Sequence, residues 1–186
     1  MKTKSPSDKY IRLARMGGAA QAAFIRADQV VIAHWVRLKC HYGCGGYGET
    51  LTCPPYAPTP EYMEKVLKEY EIGLLLTFRL DSGEDEGPVL RRRKNCVADM
   101  ERRMFLDGHY AAFAMSSGPC NLCAECDVSR PCQRPHLARP SMEACGIDVY
   151  ATMHNAGLPL DVVKAKSGPC TFCGLILFQL RNSRSM

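Results

Sequence analysis

PPYAPTPEYMEKVLKEYEIGLLLTFRL, residues 54–80, sets a helix directly before a strand. Thr59 is placed to cap the helix, Pro60 suits its first position, and Glu61 puts an acid in the first turn. Met63, Val66, Leu67 and Tyr70 recur at spacings of three and four, the period of an amphipathic helix. Ile72 to Phe78 then reads as a buried strand. This unit points to an α+β fold, a small mixed sheet with packed helices and cysteine-rich loops.

Working outward, residues 11–38 read as a helix followed by a strand or second helix, with Gly17-Gly18 at the boundary. QVVIAHWVRL, Gln29 to Leu38, is β-rich and places Cys40 at the exit of an element. Downstream, DSGEDEGP from Asp81 is a surface loop. Ala98 to Ala112 reads as a helix with Met100, Met104 and Phe105 on its apolar side. Ala111 to Met115 is its continuation or a short strand, and Gly118-Pro119 ends it. Ser141 is a cap for a short turn, and Asp148 to Asn155 is a helix stopped by Gly157. LDVVKAKSGPCTFCGLILFQL, residues 160–180, reads as a hairpin whose turn carries Cys170 and Cys173. The chain is expected to be a single metal-binding domain over 1–186, with cysteine-rich segments at 40–56 and 118–147.

A hydrophobic fraction of 46% over 186 residues supports a globular core and argues against disorder. The longest apolar runs, IGLLLTF and GLILF, are too short to span a bilayer. MKTKSPSDKY has basic residues and no following apolar region, so a cytoplasmic location is the expectation. Part of the net charge of +5 comes from Arg91-Arg92-Arg93-Lys94. Without an accompanying aromatic stripe, that run reads as a solvated loop or helix start rather than a nucleic-acid surface.

Eleven cysteines are the unusual feature. An odd count with no export signal argues against a disulfide scaffold and for metal ligands or redox thiols. In GPCNLCAECDVSRPCQRP, Cys120, Cys123 and Cys126 follow C-x2-C-x2-C spacing, and Cys132 lies beyond. Zinc sites usually come as separated C-x2-C pairs. Three thiols at successive steps of three instead match the bacterial ferredoxin pattern and favour a [4Fe–4S] cluster, with zinc as the alternative. Cys132 either completes that cluster or crosses over to a second one.

CHYGCGGYGETLTCPPY supplies a second group, Cys40, Cys44 and Cys53, around glycines that allow close backbone approach. Its fourth ligand is Cys145, Cys170, Cys173 or Cys132, or its fourth iron is open. His41 is a minor candidate. Cys96 reads as structural, and Cys170/Cys173 alone is weak evidence for zinc or a redox dithiol. Arg130, Arg134 and Arg139 either favour a reduced, anionic cluster or are solvated. Met142 and Ile147 are expected to pack against the cluster loop.

The segments LKCHYGCGGYGETLTCPPYAPTPEYM and GPCNLCAECDVSRPCQRPHLARPSMEACGIDVYATMHNAG resemble a family of prokaryotic cysteine-rich proteins, widespread in anaerobes and described as predicted metal-binding proteins of unknown function. The resemblance runs from about residue 20 onward. It implies metal binding, of the iron–sulfur kind, through Cys40, Cys44, Cys53, Cys120, Cys123, Cys126 and Cys132, and implies no particular reaction.

The function expected from these readings is low-potential electron transfer through one or two [4Fe–4S] clusters, with a redox protein or a corrinoid protein as partner. No motif supports the corrinoid directly. The enzyme alternative has an open iron at Cys40/Cys44/Cys53 acting in redox or sulfur chemistry, with Tyr47, Glu49 or Tyr56 lining its pocket. A zinc-stabilised protein-binding module is the third class. No serine–histidine, paired-carboxylate or phosphate-loop arrangement offers another catalytic route.

Overall fold

The computed structural model describes residues 6–164 and 168–180, with side chains described from Asp8 onward. Strands β1 (Gln21–Arg26), β2 (Ile72–Leu80), β3 (Phe113–Met115) and β4 (Cys170–Phe178) form one sheet in the order β1-β2-β4-β3. Helices α1 (Pro6–Met16), α2 (Trp35–Gly43), α3 (Pro60–Leu67), α4 (Glu86–Leu106) and α5 (Val149–Asn155) pack around it.

The α+β class holds, but every strand pair is antiparallel, which corrects the expectation of a mixed sheet. β2 and β3 run in the same direction and are joined through α4. β4 fills the space between them, so this crossover leaves no parallel pair.

β2 explains why its sequence is apolar without alternation. Leu74, Leu76 and Phe78 face one side, with Tyr10 and Ala14 of α1 and Val97, Met100 and Met104 of α4. Leu75 faces the other, with Met63 of α3, Met153 of α5, Met142 and Ile147. Successive side chains of a strand point to opposite faces, and here both faces are covered.

The helix that opened the sequence reading forms as expected. Thr59 accepts a hydrogen bond from the Tyr62 N–H at 3.3 Å and Pro60 follows in the first turn. Thr59→Ala is expected to cost about 1 kcal/mol, read as a lower urea midpoint with an unchanged m-value. Ser141 and Asp148 likewise accept from Ala144 and Ala151, both at 3.0 Å. Gly157 adopts φ +71° just beyond α5.

Other expectations change. Gln29–Leu38 is not a strand: the strand is Gln21–Arg26, and Trp35 begins α2, so Cys40 lies inside a helix. The β-branched run at 30–32 packs through Val30 and Ile32 against the far side of the core instead. α4 starts at Glu86 and ends at Leu106, and Phe105 is exposed rather than apolar packing. The C-terminal hairpin is a single strand: residues 160–164 are exposed or half-buried without strand structure, and 165–167 lie outside the described residues. β4 pairs with β2 over nine residues, from Leu80↔Cys170 to Ile72↔Phe178. That long-range ladder replaces the local pairing a hairpin would have made.

Candidate functional site

α2 and the turns after it carry the first cysteine group. Cys40 is in the last turn of α2, half-buried, with its Sγ 3.9 Å from the Glu143 carbonyl. Cys44 follows at the helix end, exposed, and accepts from the Gly46 N–H at 3.4 Å. Cys53 is buried in the turn beyond. Arg37 anchors this helix by donating to the carbonyls of Ala144 at 2.5 Å and Pro58 at 3.1 Å. Cys40, Cys44 and Cys53 border one cavity of about 430 Å³, together with Cys173 from β4.

The second group lies in the irregular segment after β3. Cys120, Cys123, Cys126 and Cys132 are all half-buried and all border a second cavity, of about 280 Å³. Its opposite wall is Glu49 to Thr52, from the loop of the first group. The Arg134 N–H donates to Cys132 Sγ at 3.4 Å. Two of the three arginines here are paired: Arg130 with Asp127 at 3.2 Å and Arg139 with Glu101.

The two groups meet. The Cys53 sulfur faces the N–H of Cys120, and a Cβ built at Gly46 would lie 3.6 Å from the sulfurs of both Cys44 and Cys53 and 3.2 Å from Pro119. Only a residue without a side chain leaves that space free.

Among the described residues, no group of three or more histidine, cysteine, aspartate or glutamate side chains is arranged to hold a metal ion. The cysteine-rich loops are present, and their thiols border the two cavities without forming such a group. Burial pushes the Cys40 and Cys53 thiols above their ordinary pKa. Neutral thiols have no charge to share, whereas a bound cation draws them together as thiolates.

The remaining cysteines separate by position. Cys145 is fully buried in the turn Glu143–Cys145, its thiol pushed up to about 12 by burial, within the core packed against β4. Cys96 is buried on α4 against Gly17, with its Sγ 3.7 Å from the Ala14 carbonyl, which is the expected structural role. Cys170 and Cys173 lie three apart on a strand, hence on opposite faces, and do not form a dithiol turn. His41 is exposed and packs edge-on against Tyr42 and Tyr47. Met142 and Ile147 belong to the core against the sheet, and Ile147 also reaches the first cavity.

Two basic residues at the site were not expected. Arg93 is only 2% exposed; it donates to the Ser117 carbonyl at 2.8 Å and lies over the Phe172 ring, 4.5 Å from its centroid. Lys94 is buried and donates to the Pro119 carbonyl at 2.9 Å. Burial pushes its pKa down to about 8, against the opposing pull of Cys120. The run Arg91–Lys94 is therefore half solvated and half buried. The signal was helical period: Val89, Arg93, Val97, Met100 and Met104 continue one stripe along α4. Arg93 and Lys94 hold the backbone that leads into Cys120.

Glu143 was also missed. It borders the first cavity, and burial raises the pKa of its carboxyl. Of the pocket residues expected for an open iron, Tyr47 borders the first cavity, Glu49 the second, and Tyr56 is exposed.

No helix among the described residues is long and apolar enough to cross a membrane. No curated protein matches the chain. Among solved structures, epoxyqueuosine reductase from Streptococcus thermophilus is similar with a TM-score of 0.47 and 10% identity, over 98% of this chain and 48% of that one. The chain thus spans about half the length of that protein, and at this level of likeness neither fold nor activity transfers. The model of the DUF2284 family, described as "Predicted metal-binding protein", matches residues 23–178, so the resemblance carried by the two cysteine segments holds and the chain belongs to that family.

Proposed function

We propose that the protein binds one or two [4Fe–4S] clusters and carries single electrons at low potential in the cytoplasm. The observation that carries this reading is that Cys120, Cys123, Cys126 and Cys132 border one cavity of about 280 Å³. A cubane holds its ligating sulfurs farther apart than a single tetrahedral ion does, so four thiols around a cavity suit a cluster better than zinc. Cys132 then serves its own group. The first group fits in the same way: Gly46 leaves open the space between Cys44 and Cys53 that a Cβ would fill.

When bound, the clusters supply reversible one-electron transfer. The chain's part is to set their environment. N–H groups of Gly46 and Arg134 donate to sulfur and Lys94 adds buried positive charge, which stabilise the more anionic, reduced state and so raise the potential above that of the same cluster without them. Cys53 beside Cys120 gives the two groups a shared wall, suited to passing an electron from one to the other. A redox or corrinoid protein is the partner class this use requires.

A second reading has one specific observation in its favour. The first group offers three thiols, with Cys173 of β4 buried on the same cavity, which extends past them to Trp35, Phe172 and Glu143. That arrangement suits an iron with one position left for a small molecule.

Protein isolated without oxygen is expected to be brown, absorbing broadly near 400 nm, with about four or eight iron atoms per chain and matching sulfide. A colourless protein with stoichiometric zinc from the same preparation overturns the iron reading.

A further inference from the structure

The sheet ends differently on its two sides. β3, at one end of the strand order, is three residues long and is continued by a bridge between Ser116 and Ser141. β1, at the other end, has six residues, and nothing among the described residues pairs with its outer side. Hydrogen-bond parity says which groups that side presents. The Ala27 N–H donates to the Glu71 carbonyl at 2.9 Å, one step beyond the Arg26↔Ile72 pair, so Ala23 and Ile25 are the residues that bond to β2. The N–H and C=O groups of Ala22 and Phe24 then point away from the sheet. The Arg26 N–H points outward as well and is met locally by Gln29 Oε1 at 3.3 Å. At the other end, the Ala20 N–H turns inward to the Thr77 carbonyl at 2.7 Å. Both ends of the edge are thus closed within the chain, and two donors and two acceptors stay open between them. Sheet edges are ordinarily blunted by a charge or a proline, and residues 21–25 contain neither.

We infer that β1 is where a second copy of this chain docks, joining two four-stranded sheets into one antiparallel sheet. A two-fold axis through Ala23 sets Ala22 opposite Phe24 of the second copy, and Phe24 opposite its Ala22. Each of these pairs exchanges two hydrogen bonds, so the four open groups of each copy are all used. The side chains suit this register. Ala23 meets its own counterpart at the closest approach an antiparallel pair makes, where a small side chain fits. On the other face each Phe24 ring lies beside an Ala22 methyl, and Arg26 falls opposite Ala20, so no like charges meet. The helices leave room. α1 lies against β1, and α4 against β2, β3 and β4, so two helices share the face of four strands. Across the seam the two copies of α1 are then about two strand spacings apart, roughly 10 Å, the distance of packed helices. They run antiparallel, which sets the Asp8 end of one beside the Arg15 end of the other. Cys173 lies two strands in from the edge, so each copy keeps its own cavities and the pairing does not depend on which metal the thiols bind.

Sedimentation equilibrium on the full chain, prepared without oxygen, is expected to give twice the chain mass at about 0.1 mM and to show dissociation on dilution. Ala22→Pro removes one outward donor per copy, two of the four seam hydrogen bonds, at an edge position where a strand tolerates proline. Dimer affinity is expected to fall about 10–100-fold with the circular dichroism unchanged. Ala23→Glu and Ala23→Lys each set like charges together on the axis. Each alone is expected to dimerise about threefold more weakly than the unaltered protein, and an equal mixture of the two to recover the loss. A monomer at that concentration overturns the inference. So does a folded Ala22→Pro protein that dimerises undiminished, or a mixture of folded Glu and Lys variants that pairs no better than either alone. If the variants do not fold, amide exchange on the unaltered dimer decides. The Ala22 and Phe24 N–H groups should exchange faster on dilution while those of Ala23 and Ile25 stay protected, and equal behaviour of all four overturns the pairing.

Discussion

Cys126→Ser, prepared without oxygen, is expected to lose about four iron atoms per chain, all those of its group, whereas Cys145→Ser and Cys96→Ser keep the full complement. Cys126 borders the 280 Å³ cavity with three other thiols. Serine is a poorer ligand for iron than thiolate, and a cubane missing a strong ligand is easily lost. Cys145 and Cys96 are buried in the core, and neither borders that cavity. Their replacement buries a hydroxyl where a thiol packed, which costs stability of about 1–2 kcal/mol without touching the metal. Iron and sulfide analysis beside thermal melting separates these outcomes. Equal iron loss in Cys126→Ser and Cys145→Ser would sink the assignment of the second group.

Gly146→Ala is expected to destabilise the fold by about 2–4 kcal/mol, lowering Tm by roughly 10 °C. Gly146 has φ +81°, where an L side chain is strained. A Cβ there would also lie 2.6 Å from Cγ and 3.2 Å from Cα of Pro60, the rigid first residue of α3. The same residue ends the turn that carries Glu143, and its carbonyl accepts the Ala33 N–H at 2.9 Å, just before α2. Displacing it therefore loosens the link between α3 and the helix carrying Cys40, and bound iron is expected to fall with stability. Gly157→Ala is the control. It has φ +71° but nothing within 4 Å of the added Cβ, so it should cost about 1–2 kcal/mol, from strain alone. Equal losses in the two variants would show that contact with Pro60 is not what matters.

The legible parts of the fold were those whose signals are local. Thr59-Pro60 started a helix because the cap, the ring and the first-turn acid act within four residues. Asp148 and Gly157 bracketed α5 for the same reason. The β-rich look of Val30–Ile32 misled because side-chain shape alone does not supply a pairing partner. Gln21–Arg26 found one in β2, and Ile32 made only an isolated bridge to Ile147. The apparent hairpin at 160–180 failed similarly: β4's partners are β2, about a hundred positions away, and β3, about sixty.

Family, α+β class and the grouping of the cysteines into two segments were readable from the chain alone, since cysteine spacing and helical period are written in neighbouring residues. Which cavity each thiol borders came from the fold. The folded chain puts Cys132 on the cavity bordered by Cys120, Cys123 and Cys126, brings Cys173 to the first cavity, and sends Cys145 into the core. It also buried Arg93, Lys94 and the Glu143 carboxyl at the site, against the ordinary habit of charged residues. The physical reason is the same in each case. A residue's burial and neighbours depend on what the sheet and helices bring from far along the chain, and no local pattern records that distance.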